Sequence, residues 1–452
     1  MTMERAPRNR NLTPSDAYAS IFAGALGRLP GAETPAEAVR RAEFEKFEKI
    51  GFPGPKVEAW KYSPLGSIAK TALRPAEGMP ASSVALDDYL IPGDNVTRLV
   101  FINGELDRTR SSQMINRDGV TIGALSDALA AGAIDATSLL TGGDDERGFD
   151  ALNGAFADCG AVIKVPAGRE ISKPVQLVFA SEGPQSETMI NPRLLIDIGD
   201  GASLDLAETH LFGEGSGLLT NLVTRCWVGA NASFRHDRLQ VGDIDGRFIG
   251  RFYTAIGERA KLIQTLATLG GGFVRNEVAA RLNGSEIEAQ FNGLYLTRTG
   301  QHVDNMLIID HTAPGSVSDQ YYKGVLDGKA KAAFAGKIHV YQAAQQTNAY
   351  QTNNNLLLSP DAEVNTKPEL EIYADDVKCS HGATAGELDE RELFYLRSRG
   401  FDPETARTML TFAFADEVLE RFASKALLSQ AKREILRWLP GAEILGDMGE
   451  IE

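Results

Sequence analysis

For more than two hundred residues, from about Ala161 to Ala374, the chain offers no convincing helix and reads as short runs of alternating polarity. In Ser285-Glu286-Ile287-Glu288-Ala289-Gln290-Phe291 the apolar residues Ile287, Ala289 and Phe291 share one face and the polar residues the other. Ile196 and Ile198 flank Asp197 in the same way, as Leu204 and Leu206 flank Asp205. Between the runs a turn residue, a small residue and a new run recur. With Ala202, Ala232, Ala260, Ser285 and Ser316 as markers, the intervals are 30, 28, 25 and 31 residues. Strand units repeating at roughly 20 to 50 residues predict a solenoid, because each coil buries its apolar face only by stacking on the next. A parallel β-helix is the architecture this favours, and a sandwich of short antiparallel strands is its rival.

The flanks differ. Thr13-Pro14 and Thr34-Pro35 each set a capping residue before a proline at the first helical position, Glu37 completes a capping box with Thr34, and Gly51 stands where a helix stops. Tyr18, Ile21, Phe22 and Leu26 follow one helical face. Leu99-Val100-Phe101-Ile102 before Asn103-Gly104 predicts a strand entering a turn, and Gly142-Gly143-Asp144-Asp145 a loop. Beyond the strand body, Asp389 with Glu392 and Asp402-Pro403 start helices, and Gly400 ends the first of them. One stripe there is Ala406, Met409, Leu410 and Ala413; a second apolar side runs from Leu419 through Leu427, Ala431 and Ile435 to Trp438. The expected organisation is therefore an N-terminal helical region (1–98), a mixed strand and loop connection (99–160), a β-helix core (161–388) and a C-terminal helical domain (389–452).

Acidic residues outnumber basic ones by 61 to 46, a net charge of -15 that repels nucleic acid and anionic membranes. No apolar run approaches the roughly 20 residues of a membrane helix, and the first residues lack an export signal, so a soluble cytoplasmic protein is expected. Cys159, Cys226 and Cys379 form no CxxC pair. Gly336-Lys337 is followed by Ile338, not by the Ser or Thr of a phosphate loop, and the Gly213, Gly215, Gly217 and Gly270-Gly271-Gly272 clusters read as turns or bulges. The six histidines show no HxH or HExxH spacing, and no GxSxG occurs.

One short segment does carry ligand chemistry. In Cys379-Ser380-His381, strand alternation places Val377, Cys379 and His381 on one face, with Cys379 and His381 roughly 6.6 Å apart along the strand. A thiolate and an imidazole could address one bound atom, yet zinc and iron–sulfur clusters ordinarily take four protein ligands. The missing donors must come from elsewhere, another chain included. The plainer alternative makes Cys379 a small buried hydrophobe and His381 a hydrogen-bonded strand end. Asp375-Asp376 supports a different class, a carbohydrate-active β-helix enzyme working with clustered carboxylates, although neighbours on a strand face opposite ways and such an enzyme would be exported.

The stretch QQTNAYQTNNNLLLSPDAEVNTKPELEIYADDVKCSHGATAGELDERELFYLRSRG, from Gln345 to Gly400, resembles the signature region of the SufB/SufD family of iron–sulfur cluster assembly proteins. PKVEAWKYSPL, from Pro55 to Leu65, is similar to that family's N-terminal motif, and CSHGATAGELD, with no cysteine before Cys159, resembles the SufD branch. The resemblance implies a mainly β protein, a right-handed parallel β-helix between helical ends. It further implies a non-catalytic subunit that pairs with a SufB-like paralogue and a SufC-like ABC ATPase. His381, with Cys379 beside it, would face the paralogue where a nascent cluster is shared transiently, no cofactor being stably bound by this chain. The helices after Asp389 would dock the ATPase, with Asp389, Leu393, Leu396, Phe401 and Met409 as the docking residues. Whether the isolated chain forms a homodimer, and whether a flavin binds the complex, the sequence leaves open.

Overall fold

The computed structural model describes residues 11–441 apart from 15, 67, 77–85, 94, 133, 136–139, 142–146, 184–186 and 216. The body is a parallel β-helix of two facing sheets, successive strands alternating between them. One sheet runs from Cys159–Val165 through Leu219–Val228 and Phe273–Leu282 to Glu363–Ile372. The other runs from Val175–Ser181 through Ser203–Phe212 and Glu288–Thr297 to Val377–Gly386. Parallel pairing of strands two apart in sequence excludes the antiparallel sandwich. Ile196, Ile198, Leu204, Leu206, Ile287, Ala289 and Phe291 all lie in the core between the sheets, as their alternation predicts.

The turns stack as the strands do. Gly201, Asn231, Arg259, Glu286, Gly315 and Gln346 all have positive φ. The amide of each of the first three bonds the carbonyl of a residue in the next turn, and those of Glu286, Gly315 and Gln346 do the same. The buried residues that follow are Ala202, Ala232, Ala260, Ile287 and Ser316, which puts Ile287 in the marker place that the sequence gives to Ser285. Asn283-Gly284-Ser285 signals its turn two residues early because the left-handed position is held by Glu286, a residue type that does not announce it.

The ends of the β-helix are unlike. At the N-terminal end, Thr97–Ile102 turns through Asn103-Gly104 into the antiparallel strand Glu105–Leu106, and the hairpin Ile115–Arg117/Val120–Ala124 closes the other sheet. At the C-terminal end, Glu363–Ile372 and Val377–Gly386 are the last strands of their sheets, and no described strand pairs with their outer edges.

Helices cover the outer faces. Ala17–Ala25, Pro35–Ile50 and Gly148–Phe156 build an aromatic cluster against the first sheet, reaching Leu219 and Ile249. The Pro55–Leu65 motif is fastened there by buried charge. Arg275 pairs with Glu277 and Asp304, lies 4.0 Å from the Trp60 ring centroid and donates to the Ala59 carbonyl. Ser63 Oγ donates to Asp304 and is 2.9 Å from His302 Nε2, so the buried Ser63 and Asp304 latch the motif to the sheet. On the second sheet, Pro403–Leu419 and Lys425–Trp438 pack Val418, Leu419, Leu427, Ala431 and Ile435 over Leu239, Leu294 and Val325. Asp237 accepts the Ser424 amide, and Arg421 donates to Asn292.

Three local readings need correcting. The first helix begins at Ala17, because Leu12 pairs with Phe52 in a short antiparallel bridge that keeps Thr13-Pro14 extended. Thr34 does cap, accepting the Ala36 amide at 3.2 Å, but Glu37 turns to Arg41 and leaves the box open. In Pro403–Leu419 the buried face is Thr405, Ala406, Thr408, Thr411, Ala415 and Val418; Met409 and Leu410 are half-buried and Ala413 is exposed, since short threonines pack here where the apolar stripe was expected. Gly142-Gly143-Asp144-Asp145 lies outside the described residues.

Burial holds the imidazoles of His210, His236, His302 and His311 below the usual histidine value, His311 at about 4. The native state therefore takes up these protons at lower pH than the unfolded chain, so stability is lost as pH falls below about 6.5. We predict that His311→Gln, which keeps a polar partner for Ser318, lowers the slope of unfolding free energy between pH 6 and pH 4.5 by about 1 kcal/mol per pH unit. Denaturant titrations at stepped pH measure this, and an unchanged slope would contradict it.

Candidate functional site

The register of the last coil decides where Cys379 and His381 point. Cys379 stands opposite Ala349, His381 opposite Gln351 and Ala383 opposite Asn353 in the neighbouring strand Thr347–Leu357. Ala349, Gln351, Asn353 and Asn355 are buried in the interior of the β-helix. Cys379 and His381 therefore continue interior columns into a coil that no described residue stacks upon, which leaves Cys379 half-buried and His381 exposed. The strand alternation that the sequence implies is thus present, with Val377, Cys379 and His381 in phase.

Cys379 rests on the apolar plug of Ile338, Val340, Ala344 and Ala349. Burial pushes its thiol pKa up, partly countered by a backbone hydrogen bond from Ala349. The thiol is the resting form near neutral pH, and a metal would have to displace its proton. Cys159 and Cys226 are fully buried elsewhere in the body. Among the described residues no three His, Cys, Asp or Glu side chains gather so as to hold a metal ion.

Behind His381 the interior changes character, a feature the sequence reading missed. Gln351 Nε2 donates to Gln320 Oε1 at 2.7 Å, Asn353 Nδ2 donates to the Tyr295 hydroxyl at 3.1 Å, and Asn355 Nδ2 donates to Asn353 Oδ1 at 2.9 Å. Glycine makes room for these amides. A Cβ on Gly336 of the facing strand would lie 1.9 Å from Gln351 Nε2, and one on Gly324 2.3 Å from the Tyr295 ring. The signal was present in Tyr350-Gln351-Thr352-Asn353-Asn354-Asn355, whose inward phase is amide at every position.

Asp375 and Asp376 occupy the exposed turn before the last strand, where the Asp376 amide and carbonyl join the stacked turns through Gln345 and Gln346. A glycosidase pair has to face its partner across roughly 5 to 10 Å of substrate cleft, which neighbours on a turn do not do.

At the helical end Asp389 caps Glu390–Ser398, accepting the Arg391 amide at 2.7 Å. Leu393 is buried, and Leu396, Phe401 and Met409 are half-buried. The most exposed apolar side chains of this helix are Phe394, 72% exposed, and Tyr395, 55% exposed. Alternation at helical spacing hid them, because two aromatics in succession must take different faces.

With this geometry in hand, comparison with known proteins is decisive. The family described as SUF system FeS cluster assembly, SufBD core domain, matches residues 179–414, and the SufBD protein N-terminal region matches residues 15–177. The chain belongs to the SufBD family. The iron–sulfur cluster assembly protein SufD of Escherichia coli is 30% identical over 422 residues, 90% of this chain and 95% of its own length. A SufBD family protein of Synechocystis is 30% identical over 406 residues, 87% of this chain and 89% of its own. SufD of Bacillus subtilis is 27% identical over 300 residues. The chain is therefore a SufD-like iron–sulfur cluster assembly protein of the SufBD family. The core match covers the solenoid from within Val175–Ser181 onward, together with Cys379, His381, the helix Glu390–Ser398 and most of Pro403–Leu419. Among the described residues no helix is long and apolar enough to cross a membrane.

Proposed function

We propose that this SufBD protein is a non-catalytic scaffold subunit of the cytoplasm whose open coil is completed by a SufB-like paralogue, the nascent cluster being held between the two chains. The observation that carries the reading is the uncovered coil presenting His381 and Cys379 in interior register. Two donors on one strand fall short of the four a stable cluster takes, so the remainder comes from the facing chain, and cargo held by divided ligands is released more readily than from a closed cage.

The edge itself favours pairing with another chain. Val377–Gly386 carries the small residues Gly382, Ala383, Ala385 and Gly386, and its one Lys, Arg, Asp or Glu is Lys378, so little opposes strand addition. Exposed Tyr350, Ile372 and Tyr373 surround the same end. In the other terminal strand, Pro368 and the charges of Glu363, Lys367, Glu369 and Glu371 guard the edge, which directs augmentation to the strand that carries His381. Replacing His381 with Ala removes an exposed side chain and should leave fold and partner association intact while cluster yield, read by absorbance after anaerobic reconstitution with both partner types, falls at least tenfold. Wild-type yield would refute the reading.

A SufC-like ATPase then docks on the C-terminal helical layer. Removing the segment from Asp402 to Trp438 would strip the second sheet of its cover, since Leu427, Ala431 and Ile435 are buried there, so deletion cannot isolate docking from folding. Phe394 and Tyr395 offer the cleaner probe. The double variant Phe394→Asp/Tyr395→Asp should abolish co-purification with the ATPase at unchanged thermal midpoint, and full retention of the ATPase would move docking elsewhere.

A further inference from the structure

We propose that Gln351 positions His381, its side-chain carbonyl accepting a hydrogen bond from one ring nitrogen so that the other is left as a bare electron-pair donor at the mouth of the open coil. This rests on the reading of His381 as the residue that meets the cluster.

Gln351 is 2% exposed and directly opposite His381 in the parallel ladder, at the roughly 4.8 Å spacing of neighbouring strands. Its Nε2 is committed to Gln320 Oε1, while its Oε1 has no hydrogen-bond partner among the described residues. A buried carbonyl without a donor is costly, so an imidazole N–H one layer away meets a standing demand.

The direction of the amide ladder is fixed from below. Gln320 is opposite Phe291 in the preceding coil, and its Nε2 is likewise unpartnered. An amide N–H is tolerated against an aromatic face and an amide oxygen is repelled by it, so the donor end of the ladder turns inward and the acceptor end outward, toward His381. Gly336 keeps the amides in line, since a Cβ there would strike Gln351 Nε2 and come within 3.0 Å of Gln320 Oε1. A neutral imidazole with one nitrogen engaged as donor has a single tautomer, and only the opposite nitrogen can then bind a metal.

The test uses the full chain with ¹⁵N-labelled histidine at pH 8, the His381 signals being assigned by their loss in His381→Asn. Nitrogen shifts report the tautomer without any cluster. Wild type should show one tautomer and Gln351→Met a mixture of both. Cluster yield in the assembled complex should fall about tenfold in Gln351→Met. Should Gln351→Met fail to fold, Gly336→Ala, which pushes the amide aside from the facing strand, takes its place with the same expectation. An unchanged tautomer in the folded variant overturns the proposal. A shifted tautomer with full yield in His381→Ala would instead leave the positioning intact and overturn the cluster reading.

Discussion

Parallel strand stacking supplies each inner coil of this protein with two neighbours, and among the described residues the last coil has one. Each interior residue is covered by its counterpart in the following coil, as Leu262 is by Ala289. At Val377–Gly386 the series stops with the same interior phase still in force. A residue there is directed into a core that the described residues do not extend. That single circumstance makes Cys379 and His381 available, and it accounts for the difference in burial between the last two strands and the β-helix strands before them.

The two ends of the β-helix show that such an edge is not an inevitable by-product of the fold. Antiparallel hairpins terminate both sheets at the N-terminal end, and the turned-back strand blocks further parallel growth. The C-terminal helices begin directly after the last strand, yet they pack sideways over the second sheet. With Gln351, Asn353 and Asn355 in the inward phase of the penultimate coil, the uncovered end is polar beyond the apolar plug beneath Cys379. An apolar open end would promote indiscriminate stacking of copies; an amide-lined one rewards a partner that satisfies specific hydrogen bonds.

Much of this was legible in the sequence because period-two alternation and a repeat near 30 residues are consequences of coil geometry itself. Ile287, Ala289 and Phe291 could be placed inward from their spacing alone, and the phase of Val377, Cys379 and His381 followed from the same rule. Turn positions were less legible, because Arg259, Glu286 and Gln346 adopt positive φ under the hold of stacked turns and not by their own preference. Helix starts misled for a similar reason: Thr13-Pro14 has the local chemistry of a cap but is claimed by pairing of Leu12 with Phe52. The amide layer behind His381 was readable in principle, yet a polar strand in the buried phase looks like a surface strand until its register is known. Phe394 and Tyr395 were hidden by attention to the periodic apolar stripe, which marks residues that pack and passes over those left outside.

Hydrogen exchange read strand by strand tests most directly the claim that another chain completes the last coil. With a SufB-like partner added to the isolated protein, backbone amides of Val377–Gly386 should gain protection by at least an order of magnitude while those of Glu288–Thr297, already paired on both sides, stay as they were. A stable complex in which Val377–Gly386 exchanges as fast as before would contradict the account.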